Sequence, residues 1–179
     1  VDNKSIFVHV PKCAGISINK TLFGNLAGGH NTFDDYLRIF PPRDINEYFK
    51  FTIVRNPWDR VVSAFHFLKK GGMNDADKKW SEKELGKYGD FDQFVNDWLT
   101  EDNIWKYHHF RPQYHYVLDS NNKVFLDFVG LLENIDDDFL FIKNQLGVTI
   151  DLPKSNMSKH SLYTDYYSEE TKDIVARVY

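Results

Sequence analysis

Ile6, Phe7, Val8 and Val10 form a short apolar run interrupted only by His9. β-Branched and aromatic residues in a run of that length predict a buried strand over 5–10. Residues 11–15 then read as a turn. Beyond it Ile16, Ile18, Leu22, Phe23 and Leu26 approach a helical stripe, and Ala27-Gly28-Gly29 predicts the end of that helix. Residues 30–50 read as a mixed connection broken at Pro41-Pro42. Residues 51–54 predict a second buried strand. After Arg55-Asn56, Pro57 takes the first position of a helix carrying Trp58, Val61, Val62, Phe65 and Leu68. Residues 71–90 are polar and charged, and predict an exposed insertion or flap with short helical pieces. An amphipathic helix follows over 91–99, then an aromatic-rich irregular stretch over 104–118. A third strand is expected over 124–132, a helix over 135–146, a loop over 152–163 and a last helix over 168–179.

Strands alternating with helices predict an α/β chain with a central parallel sheet flanked by helices. A length of 179 residues fits one domain, 1–179, able to bury its own core. In such sheets ligands bind at the carboxyl ends of the strands. Lys12 and Arg55 both follow predicted strands, so two cation-bearing turns are expected at that end.

Charge narrows the partners. The chain carries 22 Lys+Arg against 26 Asp+Glu, a net charge of −4. No basic stripe is present, which argues against a nucleic-acid partner. A small anionic ligand needs only a few local cations. The single cysteine, Cys13, allows no internal disulfide and fits a reducing compartment. No run of about 18 apolar residues is present to cross a membrane. No signal peptide is visible. The chain begins at Val1 and stops inside a helical pattern at Tyr179, so native ends and any targeting segment are expected to lie outside it.

The turn "PKCAG" is the first chemical signal. A helix N-terminus offers unpaired N–H groups and a partial positive charge, a natural seat for phosphate. Ala14 and Gly15 let backbone approach a ligand, Lys12 adds a charge and Ser17 a hydroxyl. Taken alone, the same turn is equally a strand-to-helix turn with a solvated lysine. It differs from the G-x-x-x-x-G-K-[ST] loop, because the lysine precedes the glycine. No acidic residue ends the second strand to hold magnesium. "FTIVRNPWDRVVSAF" adds Arg55 and, eight positions later, Ser63. Arginine offers a planar fork for phosphate. Its alternative role is a capping ion pair with Asp59.

Together these two stretches resemble the cofactor motifs of sulfotransferases that use 3′-phosphoadenosine 5′-phosphosulfate (PAPS). The first resembles the 5′-phosphosulfate loop and the second the 3′-phosphate motif. "HFRPQ" at 109–113, "DFVGLLENIDDDF" at 127–139 and the stretch 156–179 resemble the carbohydrate branch of that superfamily, of chondroitin 4-O-sulfotransferase type. The resemblance leaves out only the segment near 71–90. It implies a P-loop-like three-layer fold and in-line transfer of a sulfuryl group to a hydroxyl of a carbohydrate or glycosylated acceptor, releasing 3′,5′-adenosine bisphosphate (PAP). Lys12, Cys13, Ala14, Gly15, Ile16 and Ser17 would hold the 5′-phosphosulfate, Arg55 and Ser63 the 3′-phosphate. Lys159 would belong to a loop closing over the nucleotide, or be a plain surface lysine. Lumenal animal members carry cysteines around "HFRP"; this chain does not, which favours a bacterial-type, cytoplasmic relative over a lumenal catalytic fragment.

Sulfuryl transfer relies on positioning and charge stabilisation, with a base on the acceptor hydroxyl. Lys12 is the electrostatic candidate. His30, in the connection before the 3′-phosphate motif, is the first candidate base, with a solvent-exposed loop histidine as the alternative. His109 is the second, with a packed structural histidine as the alternative. His9 and His66 read as structural. Arg111 and Gln113 are candidate acceptor contacts, and Trp58, Trp105, Tyr107, Tyr114 and Tyr116 could stack on a ring or fill the core. No metal is called for. Two other classes remain open on the residues: a non-catalytic PAP-binding module and a P-loop-like small-molecule kinase.

Overall fold

The computed structural model describes residues 4–26, 29–153 and 161–179. The chain divides into two compact units, Val1–Arg55 with Pro112–Met157, and Asn56–Arg111 with Ser158–Tyr179.

The first unit is built on a parallel sheet of order β1-β2-β3, with β1 at Ser5–Val8, β2 at Phe49–Val54 and β3 at Phe128–Leu131. Ser5 pairs with Phe49 and Val8 with Thr52; Phe51 pairs with Phe128 and Val54 with Leu131. Ile6, Val8, Phe51, Thr52 and Ile53 are all buried, as expected for strands covered on both faces. Helices α1 (Gly15–Phe23), α2 (Phe33–Ile39), α3 (Pro42–Glu47), a short α7 (Tyr114–Val117) and α8 (Ile135–Leu146) complete the unit. Ile18 and Leu22 of α1, Phe33 and Tyr36 of α2, and Phe139 and Ile142 of α8 join the strands in one core. The architecture is the α/β sheet-and-helix arrangement expected from the alternation of elements.

Some boundaries differ from the pattern. α1 stops at Phe23 because Gly24 adopts φ 70° and closes the helix onto the Lys20 carbonyl, so Leu26 lies beyond it. β2 starts two residues before the apolar run, at Phe49. Val124 pairs antiparallel with Leu118 instead of extending β3. The mixed connection after His30 holds two helices. α2 is announced by a capping box in which Thr32 and Asp35 exchange hydrogen bonds.

The second unit is helical: α4 (Pro57–Lys69), α5 (Asp75–Glu84), α6 (Phe91–Trp98) and α9 (Glu169–Val178). Val62, Phe65 and Leu68 of α4, Phe94, Val95 and Trp98 of α6, Phe110 and Val175 form its core. Segment 71–90 contains α5, which contributes buried Asp77 and Ser81, and is followed by buried Leu85. Much of the aromatic content is packing: Phe94 stacks on Trp98 and Trp80 on Tyr107. Among the described residues no helix is long and apolar enough to cross a membrane.

Candidate functional site

The turn after β1 has an unusual backbone. Lys12 and Ala14 both adopt left-handed conformations, φ 70° and 58°. A non-glycine residue held there costs roughly 1–3 kcal/mol, strain that clusters at ligand-gripping sites. Left-handed residues interspersed in a turn are the backbone form of anion-binding nests. Ala14 is the N-cap of α1 and supplies no side-chain cap, and the first turn of α1 holds no acidic residue. By contrast, α2, α4, α5, α6 and α9 are each capped by a side chain, from Thr32, Asn56, Asn74, Asp90 and Ser168. The positive end of α1 is therefore not neutralised by its own cap.

Gly15 is required by packing. A Cβ there would lie 1.8 Å from His9 Cδ2 and 1.9 Å from His9 Nε2. The His9 ring sits over the first turn of α1, with Nδ1 3.4 Å from Asn19 Nδ2 and the ring stacked with Phe7. His9 thereby fixes α1 against the end of β1.

His30 docks on the same strand end. Its Nδ1 lies 3.2 Å from the His9 carbonyl, and the two rings are 4.3 Å apart. A carbonyl only accepts, so Nδ1 carries the proton. In the neutral ring Nε2 is then the lone-pair nitrogen, the protonation state a base needs.

Arg55 follows β2 and is 8% exposed. Its Nη1 donates to the Lys12 carbonyl at 3.1 Å, tying the turn after β2 to the turn after β1. Gln113 holds the same junction. Its Oε1 accepts from the Arg55 N–H at 2.9 Å, and its Nε2 donates to the Arg55 carbonyl at 2.7 Å. The Cys13 thiol donates to the same Oε1 at 3.4 Å. Gln113 therefore braces the two turns, where the sequence pointed to an acceptor contact. A glutamine after a proline carries no local signal of a partner 58 positions away.

Lys12, residues 13–17, Arg55 and His30 thus gather around the ends of β1 and β2 in the first unit. Ser63 and His109 belong to the second. Ser63 is buried in α4. His109 is buried, with Nε2 3.4 Å from Asp77 Oδ1. The Tyr107 hydroxyl also donates to Asp77 Oδ1, and the Met73 N–H to Asp77 Oδ2. Burial pushes the Asp77 carboxyl up. The hydrogen bonds from His109, Tyr107 and Met73 outweigh burial and hold it well below the usual carboxylate range. Burial and the Asp77 partner push the Tyr107 phenol up. Of the other ring candidates, Tyr116 is core, Tyr107 is stacked on Trp80, and Trp105 and Tyr114 are exposed. Lys159 lies outside the described residues.

The family model described as "Sulfotransferase family" matches residues 2–179. The chain belongs to the sulfotransferase family. Sulfuryl transfer is therefore the general chemistry, and the small-molecule kinase reading falls away. No curated protein and no solved structure matches the chain.

Proposed function

We propose that this sulfotransferase uses PAPS and sulfates a hydroxyl of a carbohydrate or glycosylated acceptor, with His30 as base. The observation that carries the reading is the uncapped, strained nest of residues 12–15, roped by Arg55 to the end of β2. A helix terminus contributes only about 0.3–2 kcal/mol to an anion, so a phosphosulfate also calls for the Lys12 charge. PAPS would supply the sulfuryl group and a bisphosphate leaving group.

In this reading the N–H groups of Cys13, Ala14, Gly15, Ile16 and Ser17 hold anionic oxygens, and Lys12 stabilises the charge that builds as the sulfur–oxygen bond breaks. Arg55 recognises the 3′-phosphate; the motif resemblance gives Ser63 the same ligand and Lys159 a nucleotide contact. His30 Nε2 takes the acceptor proton while Nδ1–H stays on the His9 carbonyl. His109 is the second candidate base, oriented by Asp77 as a carboxylate orients an imidazole.

Calorimetric titration of PAP into the wild type and Arg55→Ala tests the site, and transfer of radiolabelled sulfate from PAPS to a glycan library tests the reaction. Tight PAP binding, lost in Arg55→Ala, and label transfer are the expected results. Absence of PAP binding to the wild type refutes the cofactor. Tight binding without transfer to any glycan leaves the non-catalytic PAP-binding module instead.

A further inference from the structure

The first unit carries a cleft of about 180 Å³, bordered by Thr32, Asp34, Tyr114, His115, Leu118, Asp119 and Asn122. Its position follows from chain continuity. Thr32 is two residues from His30, and Tyr114 directly follows Gln113, the brace between Arg55 and Cys13. Two residues span at most about 7 Å of chain. The chain therefore holds two of the cleft's residues close in sequence to the candidate base and to the brace of the anion turn.

Its chemistry is one-sided. No lysine or arginine among the described residues lines it, while two carboxylates do. Asp34 Oδ1 accepts from the Ser120 N–H, fixing Asp34 against the 119–123 loop. Asp119 Oδ1 accepts from the N–H groups of Lys123 and Asn121. The bond from Lys123, with those from Asn121, holds the Asp119 carboxyl below its ordinary range despite burial, so the wall stays anionic at neutral pH. Tyr114 is 51% exposed and presents an aromatic face at the rim. The volume is below the roughly 300–1,000 Å³ of pockets for drug-sized ligands and suits a single ring.

Carboxylates, an amide, a phenol and an imidazole, with no lysine or arginine in the lining, match a ligand rich in hydroxyl groups and free of negative charge. We propose that this cleft is an acceptor subsite for one sugar residue without negative charge, and that it rejects a uronate or an already sulfated residue at that position. The proposal rests on the reading of the chain as a carbohydrate sulfotransferase. Asp34 and Asp119 accept from ring hydroxyls, Tyr114 packs on the C–H face of the pyranose, and like charge excludes acidic sugars.

The test is saturation-transfer NMR on the whole chain with an equimolar mixture of methyl glycosides. The mixture holds glucoside, galactoside, N-acetylglucosaminide, glucosaminide and glucuronide, measured with and without PAP. Signal from a neutral glycoside and none from the glucuronide is expected. Tyr114→Ala should abolish that signal. Asp34→Asn, which keeps the acceptor for the Ser120 N–H, should weaken the neutral glycoside about tenfold, the scale of one charged hydrogen bond. The same substitution should let the glucuronide bind, a gain that a purely structural Asp34 would not produce. Equal or stronger glucuronide signal in the wild type overturns the proposal. So does silence from every glycoside, or neutral binding that survives both substitutions. PAP affinity is read separately by calorimetry: its absence defeats the PAPS reading, whereas the glycoside signals judge the cleft.

Discussion

Gly15→Ala is the sharpest probe of how the anion turn is held. The added methyl carbon would enter the His9 ring, 1.8 Å from one ring atom and 2.6 Å from a third. The ring has little room to retreat, being 9% exposed and set between Phe7, Asn19 and His30. Overpacking of this kind costs about 1–3 kcal/mol, and so deep an overlap belongs at the upper end. Alanine recovers roughly 0.5–1 kcal/mol of helix propensity at the start of α1. The net loss is about 2 kcal/mol, or about 4–8 °C in Tm for a chain of this size. Thermal unfolding of Gly15→Ala, His9→Ala and the double variant measures the coupling. In the His9→Ala background the three atoms nearest the methyl carbon are gone, so the same change should cost far less or stabilise. Equal losses in both backgrounds, or none in the wild type, would refute the role given to the His9 ring.

Other expectations concern the site directly. His30→Ala should lower turnover by about 10²- to 10⁴-fold and leave PAP affinity nearly unchanged; unaltered turnover would pass the role of base to His109, tested by His109→Ala in the same assay. Gln113→Leu strands both backbone groups of Arg55 and should cost roughly 1–3 kcal/mol in denaturant unfolding, with weaker PAP binding in calorimetry; unchanged binding would show that the Arg55 turn is stable without its brace. The folded Asp77 carboxyl lies below its unfolded value of 3.8, so its contribution is complete above pH about 4 and lost as pH falls toward the folded value. Tm of the wild type should therefore fall more steeply below pH 4 than that of Asp77→Asn, and parallel profiles would remove Asp77 from the acid response.

The local signals in the sequence were dependable where one element declares itself. The apolar run at 6–8 is β1, Pro57 opens α4, and α8 covers 135–146 as its periodicity required. Ser168 caps α9 through a box shared with Thr171. Pro41-Pro42 reads as a break, yet Pro42 opens α3 at its first position, and Thr32 with Asp35 has the capping-box spacing that starts α2. Ala27-Gly28-Gly29 predicts the end of α1, yet Gly24 takes the left-handed conformation first.

By itself the sequence determined the three strands in order, most of the helices around them, and the two cation-bearing turns at strand ends. It also carried the motif resemblance behind the family assignment. Those are properties of neighbours along the chain, set by side-chain periodicity and by turn residues. Tertiary structure alone decided what supports the turns. Gln113 reaches Arg55 and Cys13, His30 orients its proton on the His9 carbonyl, and the His9 ring dictates glycine at 15. Hydrogen bonds and packing between distant segments leave no period and no spacing in the sequence, because the partners meet only once the parallel sheet has aligned its strand ends.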